Sequence, residues 1–254
     1  MFGCILGAVV GAVSAVASFV GSVGSAIASI GTGICSAFTS MASAIGPTLA
    51  NIGRTVVDGF KGIIARFPEL NLDQIKTLIE TTMKIVHKIM DVLGLNKHQM
   101  EQEEIGERAM QNPEIKPDDY DTTEEYIAKL HECEYEKGDH PKGISDDAWK
   151  AMCAAVGTGI EIKAISEKMQ MATPLTFFAD CAKAGLVAKD IVDGKGGGVL
   201  EKMKGKGAGN TAEFSQYLSG EACGREMTEA MSGFVAPESG LSAAQMRHNY
   251  AASM

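Results

Sequence analysis

No Asp, Glu, Lys, Arg or His occurs before Arg54, and within those 53 residues the large apolar side chains fall on a single helical stripe. Val9, Val13, Val16, Val20, Val23, Ile27, Ile30, Ile34, Phe38, Met41 and Ile45 follow one another at intervals of three or four, which places them along one face of an α-helix. Almost every position between them is Gly, Ala or Ser. A helix built from this segment has one ridge of bulky side chains and an otherwise thin, weakly polar surface. Exposed helix faces are ordinarily charged or strongly polar, so this one is predicted to be covered by other helices or by lipid.

Gly3, Gly7 and Gly11 reinforce that reading, because a glycine at every fourth position removes the Cβ from one face and lets a second backbone approach closely. Residues 3–45 read as one long helix or as a helical hairpin. The run from Phe2 to Val20 is apolar and long enough to cross a bilayer, whereas residues 21–45 are only moderately hydrophobic. A removable secretory signal is not expected: there is no basic stretch after Met1, and the apolar region outlasts a signal core.

Past Gly46-Pro47 the chain changes character. A second amphipathic helix is predicted over Pro47–Phe67, closing a segment of residues 1–67. Residues 68–95 hold a helix that Asn71 or Asp73 can cap, with Ile75, Leu78, Ile79, Ile85, Val86, Ile89, Val92 and Leu93 on one face and Gly94 at its end. Residues 96–143 read as an acidic linker with short helices over 101–110 and 123–137. From Lys97 to Lys150 there are 16 acids and 7 bases, a balance of −9 that equals the net charge of the whole molecule. The remainder is close to neutral and has no clustered basic face, so specific nucleic-acid recognition is not expected. Residues 144–254 read as a C-terminal helical domain. Its predicted helices cover 148–171, 173–192, 211–218, 221–234 and 242–250, with a flexible Gly- and Lys-rich loop over 194–209. No segment has the alternation of a strand, and the fold class is all-α: a long Gly/Ala/Ser-rich apolar helix or hairpin followed by a multi-helix soluble region.

Chemical motifs are weak throughout. The Gly-Lys run lacks the Ser or Thr and the preceding strand of a phosphate-binding loop. His131 and Cys133 sit two residues apart on a helix and point to different faces. Asp118, Asp119 and Asp121 lack the later glycine and glutamate of a calcium loop. The acids Glu103, Glu104, Glu107, Glu124 and Glu125 read as a solvated face. Six scattered cysteines, none in a C-x-x-C pair, read as reduced and mostly buried thiols. The sequence predicts no enzyme, no cofactor and no metal.

The N-terminal MFGCILGAVVGAVSAVASFVGSVGSAIASIGTG resembles the openings of internal virion, tail and ejection-type proteins of tailed phages. Residues 103–130, EEIGERAMQNPEIKPDDYDTTEEYIAKL, resemble a recurring piece of prophage-encoded proteins of Gram-positive bacteria. The resemblance implies a homo-oligomer made in a bacterial cytoplasm, assembled with other particle proteins. It also implies that the apolar helices are stored against symmetry mates and enter a host membrane after delivery. On this reading the chain forms or lines a channel for cargo. Two alternatives stay open, a helical pore-forming toxin acting alone and a purely structural scaffold or filament subunit.

Overall fold

The computed structural model describes residues 36–141, 144 and 146–252. Among them the structure is all-helical, with a single antiparallel bridge between Val235 and Ser242 as its only β-type pairing. The described residues group into two compact units that interleave along the sequence. One contains the chain up to Ala65 together with His98–Glu161, and the other contains Arg66–Lys97 and the chain from Ile162 onward.

In the first unit, residues 36–45 form α1 and Pro47–Arg66 form α2, whose last residue belongs to the second unit. The break between them is Gly46, whose φ of +85° an L side chain rarely tolerates. Pro47 then occupies the first helical position, where its missing N–H costs nothing. The unit continues with α4 (Gln102–Gln111), a 3₁₀ turn at Pro117–Asp119, α5 (Thr123–Glu132) and the first part of α6 (Asp146–Met169). Thr122 caps α5 by accepting from the Glu125 N–H at 3.2 Å. The Thr48 hydroxyl donates to Asp118 at 2.8 Å, which gives one of the three clustered aspartates a structural partner beside the start of α2.

The second unit is built around α3 (Leu72–Val92), which packs against α7 (Leu175–Lys183) and α8 (Ala188–Ile191). A reciprocal capping box starts α3: the Gln74 N–H donates to the Asn71 side chain, and the Asn71 N–H donates to the Gln74 side chain. Of its predicted stripe Ile75, Leu78, Ile85, Val86 and Ile89 are buried, whereas Ile79, Val92 and Leu93 are only half-buried at the edge of that face. Gly94, at φ +67°, ends it where the Leu95 N–H turns back to the Met90 carbonyl. Further along, α9 (Val199–Gly205) packs against α11 (Arg225–Met231), and α10 (Ala212–Ser219) against α12 (Ala243–Ala251). Phe177 joins Phe178 and Phe214 in an aromatic cluster with ring centroids 5.3 and 5.5 Å apart.

Three sequence expectations are corrected here. The helix anticipated over 173–192 is two helices, because Gly185 at φ +83° stops α7 and the Leu186 N–H closes the turn on the Cys181 carbonyl. The helix anticipated over 123–137 stops at Glu132, with Cys133 in an extended conformation. The stretch 194–209, anticipated as a flexible loop, contains α9, whose Val199, Leu200 and Met203 are fully buried. Glycine and lysine dominate the composition there, yet three apolar side chains at helical spacing are enough to fix the segment to the core.

Candidate functional site

Only three members of the N-terminal stripe lie in the described residues. Phe38, Met41 and Ile45 are all buried, Phe38 completely. The Phe38 ring rests on the bare backbone of Gly53 in α2; a Cβ built there would overlap the ring. The last turns of the stripe are thus seated in the core of the first unit. Gly3, Gly7, Gly11, Val9, Val13, Val16, Val20, Val23, Ile27, Ile30 and Ile34 lie outside the described residues. Among the described residues no helix is long and apolar enough to cross a membrane.

A very close helix contact among the described residues of the first unit involves two glycines, one on α4 and one on α6. A Cβ on Gly106 of α4 would overlap the Cys153 carbonyl of α6, and a Cβ on Gly157 would overlap the Gln102 carbonyl. The two backbones touch directly, a geometry open only to glycine. One residue on, Glu107 corrects the expectation of a solvated acidic face: it is 4% exposed. Its Oε1 accepts from the Gly138 N–H at 2.7 Å and from the Trp149 indole N–H at 3.2 Å. Glu107 therefore ties the chain at 138 to α4 and α6. Beside it, a 210 Å³ cavity is lined by Glu103, Lys137, His140, Asp146 and Lys150. His140 donates to Asp146 at 3.0 Å, and this bond raises its pKa against the opposing effect of burial.

The Gly-Lys run of the second unit resembles a phosphate loop in one respect only, its converging backbone N–H groups. Their acceptors are already present in the chain. Glu201 accepts from the N–H groups of Asp193, Gly194 and Gly198 at 3.1, 2.8 and 2.8 Å. Asp193 accepts from those of Lys195 and Gly197 at 2.8 and 3.0 Å. Two carboxylates fill the anion cradle that an external phosphate would need. Replacing Glu201→Ala leaves three N–H groups without their acceptor and is expected to destabilise the second unit by about 2 kcal/mol. Native-state hydrogen exchange should show the faster-exchanging amides confined to 193–198, and unchanged exchange there would refute the cradle.

A second polar cluster lies under α12. Asp180, 1% exposed, pairs with Arg66 and accepts from the Tyr250 hydroxyl at 3.1 Å, which itself lies 3.2 Å from the Ser215 hydroxyl. Burial pushes the Asp180 carboxyl up to about 6, against the pull of Arg66 and Tyr250. A raised carboxyl favours the fold fully below the unfolded value, and that contribution is lost as pH rises through the folded one. Between pH 4.5 and 7.5 the native protein should therefore lose about 2 kcal/mol more stability than the Asp180→Asn variant does. Urea titrations of both proteins at the two pH values measure this difference, and parallel pH dependences would contradict it.

The remaining candidates take ordinary structural positions. His131 stacks on His98 with ring centroids 4.0 Å apart, and the Cys133 thiol donates to the Lys129 carbonyl. Cys153 and Cys181 are buried free thiols, and burial raises the pKa of both, which disfavours the reactive thiolate. Among the described residues no group of three or more His, Cys, Asp or Glu side chains is placed to hold a metal ion. Compared with protein-family models, curated proteins and solved structures, the chain matches none.

Proposed function

We propose that this chain is a non-enzymatic, oligomerising helical protein of a phage-like particle. Its apolar N-terminal segment forms or lines a channel for delivering cargo into or across a host membrane, and residues 36–252 act as its folded anchor. The observation that carries this reading is the charge-free stripe, whose last members Phe38, Met41 and Ile45 are buried in the first unit. A segment that exchanges one cover for another, symmetry mates for lipid, needs a fixed root. Three buried large side chains supply one, since each fully buried apolar side chain contributes about 1.5 to 3 kcal/mol relative to its exposed state.

In this scheme the partners are other copies of the chain and other particle proteins, and the acidic first unit faces water. The full-length protein is tested by sedimentation in detergent-free buffer and by dye release from liposomes, alongside the stripe variants Val13→Asp and Val20→Asp. A discrete oligomer that releases dye, with both properties lost in the variants, supports the proposal. An oligomer that leaves liposomes intact favours a permanent scaffold or filament subunit. A monomer that neither binds nor permeabilises liposomes refutes the reading.

A further inference from the structure

Along its outward face in the second unit, α3 forms one wall of a 410 Å³ groove that α8 and Glu238 complete. The helical wall runs from Thr81 to Val92, about 16 Å at the usual rise. Its floor is apolar, made by Ile85, Val92, Val187 and Ala188. Val187 is 44% exposed, and only one other large apolar side chain among the described residues, Val235, is so open to water. Around this floor stand Lys84, Lys88 and Lys189. Lys84 makes no ion pair among the described residues. The other two have partners on the same rim, Lys88 with Asp91 at 3.1 Å and Lys189 with Glu238 at 3.6 Å. All four of these paired side chains are at least 40% exposed, so the pairs are weak and their ammonium groups can turn to another anion at little cost.

We propose that this groove is a binding site for a single-chain anionic amphiphile, a free long-chain carboxylate, with its acyl chain on the Ile85–Val187 floor and its head held by Lys84. An apolar floor of this volume takes an alkyl chain, and ammonium groups at the rim select a negative head over a neutral or cationic one. An anionic protein helix would meet the same charges, yet its width requires a broader apolar bed than one wall of α3 and the start of α8 provide. The site is independent of the N-terminal stripe and of the particle reading.

The test titrates full-length protein with dodecanoate below its micellar concentration by calorimetry. Dodecanol, dodecyltrimethylammonium and phosphatidylglycerol vesicles serve as comparison probes, and Lys84→Glu and Val187→Asp as variants. Both substitutions fall at exposed positions, and an unchanged helical circular dichroism spectrum verifies that each variant is folded. One saturable dodecanoate site per chain is expected, with affinity reduced about tenfold or more by either variant and by loss of the negative head. The proposal is overturned if dodecanoate does not saturate, if the variants bind it as the native protein does, or if dodecanol binds equally well. It is also overturned if only vesicles bind, which would mark a lipid surface contact in place of a single-chain site.

Discussion

Replacing Gly157→Ala is expected to prevent stable folding of the first unit, with a loss of about 4 kcal/mol or more. The added methyl would overlap the Gln102 carbonyl, and the reciprocal change Gly106→Ala would overlap the Cys153 carbonyl. Neither obstacle is the mobile end of a side chain, so relief requires α4 and α6 to move apart along their contact. Separation would also draw Glu107 away from Trp149, breaking a buried hydrogen bond of 3.2 Å. The intrinsic gain of alanine over glycine inside a helix, about 1 kcal/mol, is too small to compensate. Gly159→Ala is the internal comparison: its nearest neighbour is the Ile52 Cγ2 methyl, a stiff β-branched side-chain atom and not backbone, so a loss is expected that is smaller than that of Gly157→Ala. Chemical denaturation of the three variants ranks these effects. A Gly157→Ala protein as stable as the native one would mean that the helices do not approach this closely.

Phe38→Ala should cost about 3 to 5 kcal/mol, the range for deleting a buried aromatic ring. The ring is completely buried, and its bed is the backbone of Gly53. Gly53→Ala should also destabilise, because the new methyl claims the space of the ring. Combining the two changes should cost less than the sum of the single losses, since removal of the ring frees room for the methyl. A double-mutant cycle in urea measures this coupling. Strict additivity would mean that Phe38 and Gly53 are not in contact. The result also bears on the proposed anchor, because loss of the Phe38 seat should raise the proteolytic sensitivity of the chain around residues 36–45 before the rest of the first unit is affected.

Much of the helical plan is readable from neighbouring residues. Asn71 and Gln74 stand at the spacing of a capping box, Gly94 follows the last apolar residue of α3, and Pro47 directly follows the break at Gly46. Each signal operates within one or two turns, which is why the ends of α2 and α3 agree closely with expectation. Glu107 shows the opposite case. In the sequence it is one acid among many; its burial depends on Gly138 and Trp149, which only the folded chain brings to it. A usable clue existed in Gly106 and Gly157, since an isolated glycine inside a helix often marks a close backbone approach. That clue identifies a contact without naming its partner. The run at 194–209 is a related case: its glycine content reads as mobility, whereas Glu201 and Asp193 accept from its N–H groups and α9 buries Val199, Leu200 and Met203.

Helix type, caps and the apolar stripes of this protein follow from the chain itself, because helical periodicity and capping are interactions between residues a few positions apart. The charge-free character of the first 53 residues is likewise a property of composition. Long-range packing alone decided that Phe38 lies on Gly53, that Gly106 and Gly157 bring two backbones together, and that Glu107 and Asp180 are buried among specific donors. Burial and partner choice depend on which distant segments share one core, and no local spacing encodes that pairing.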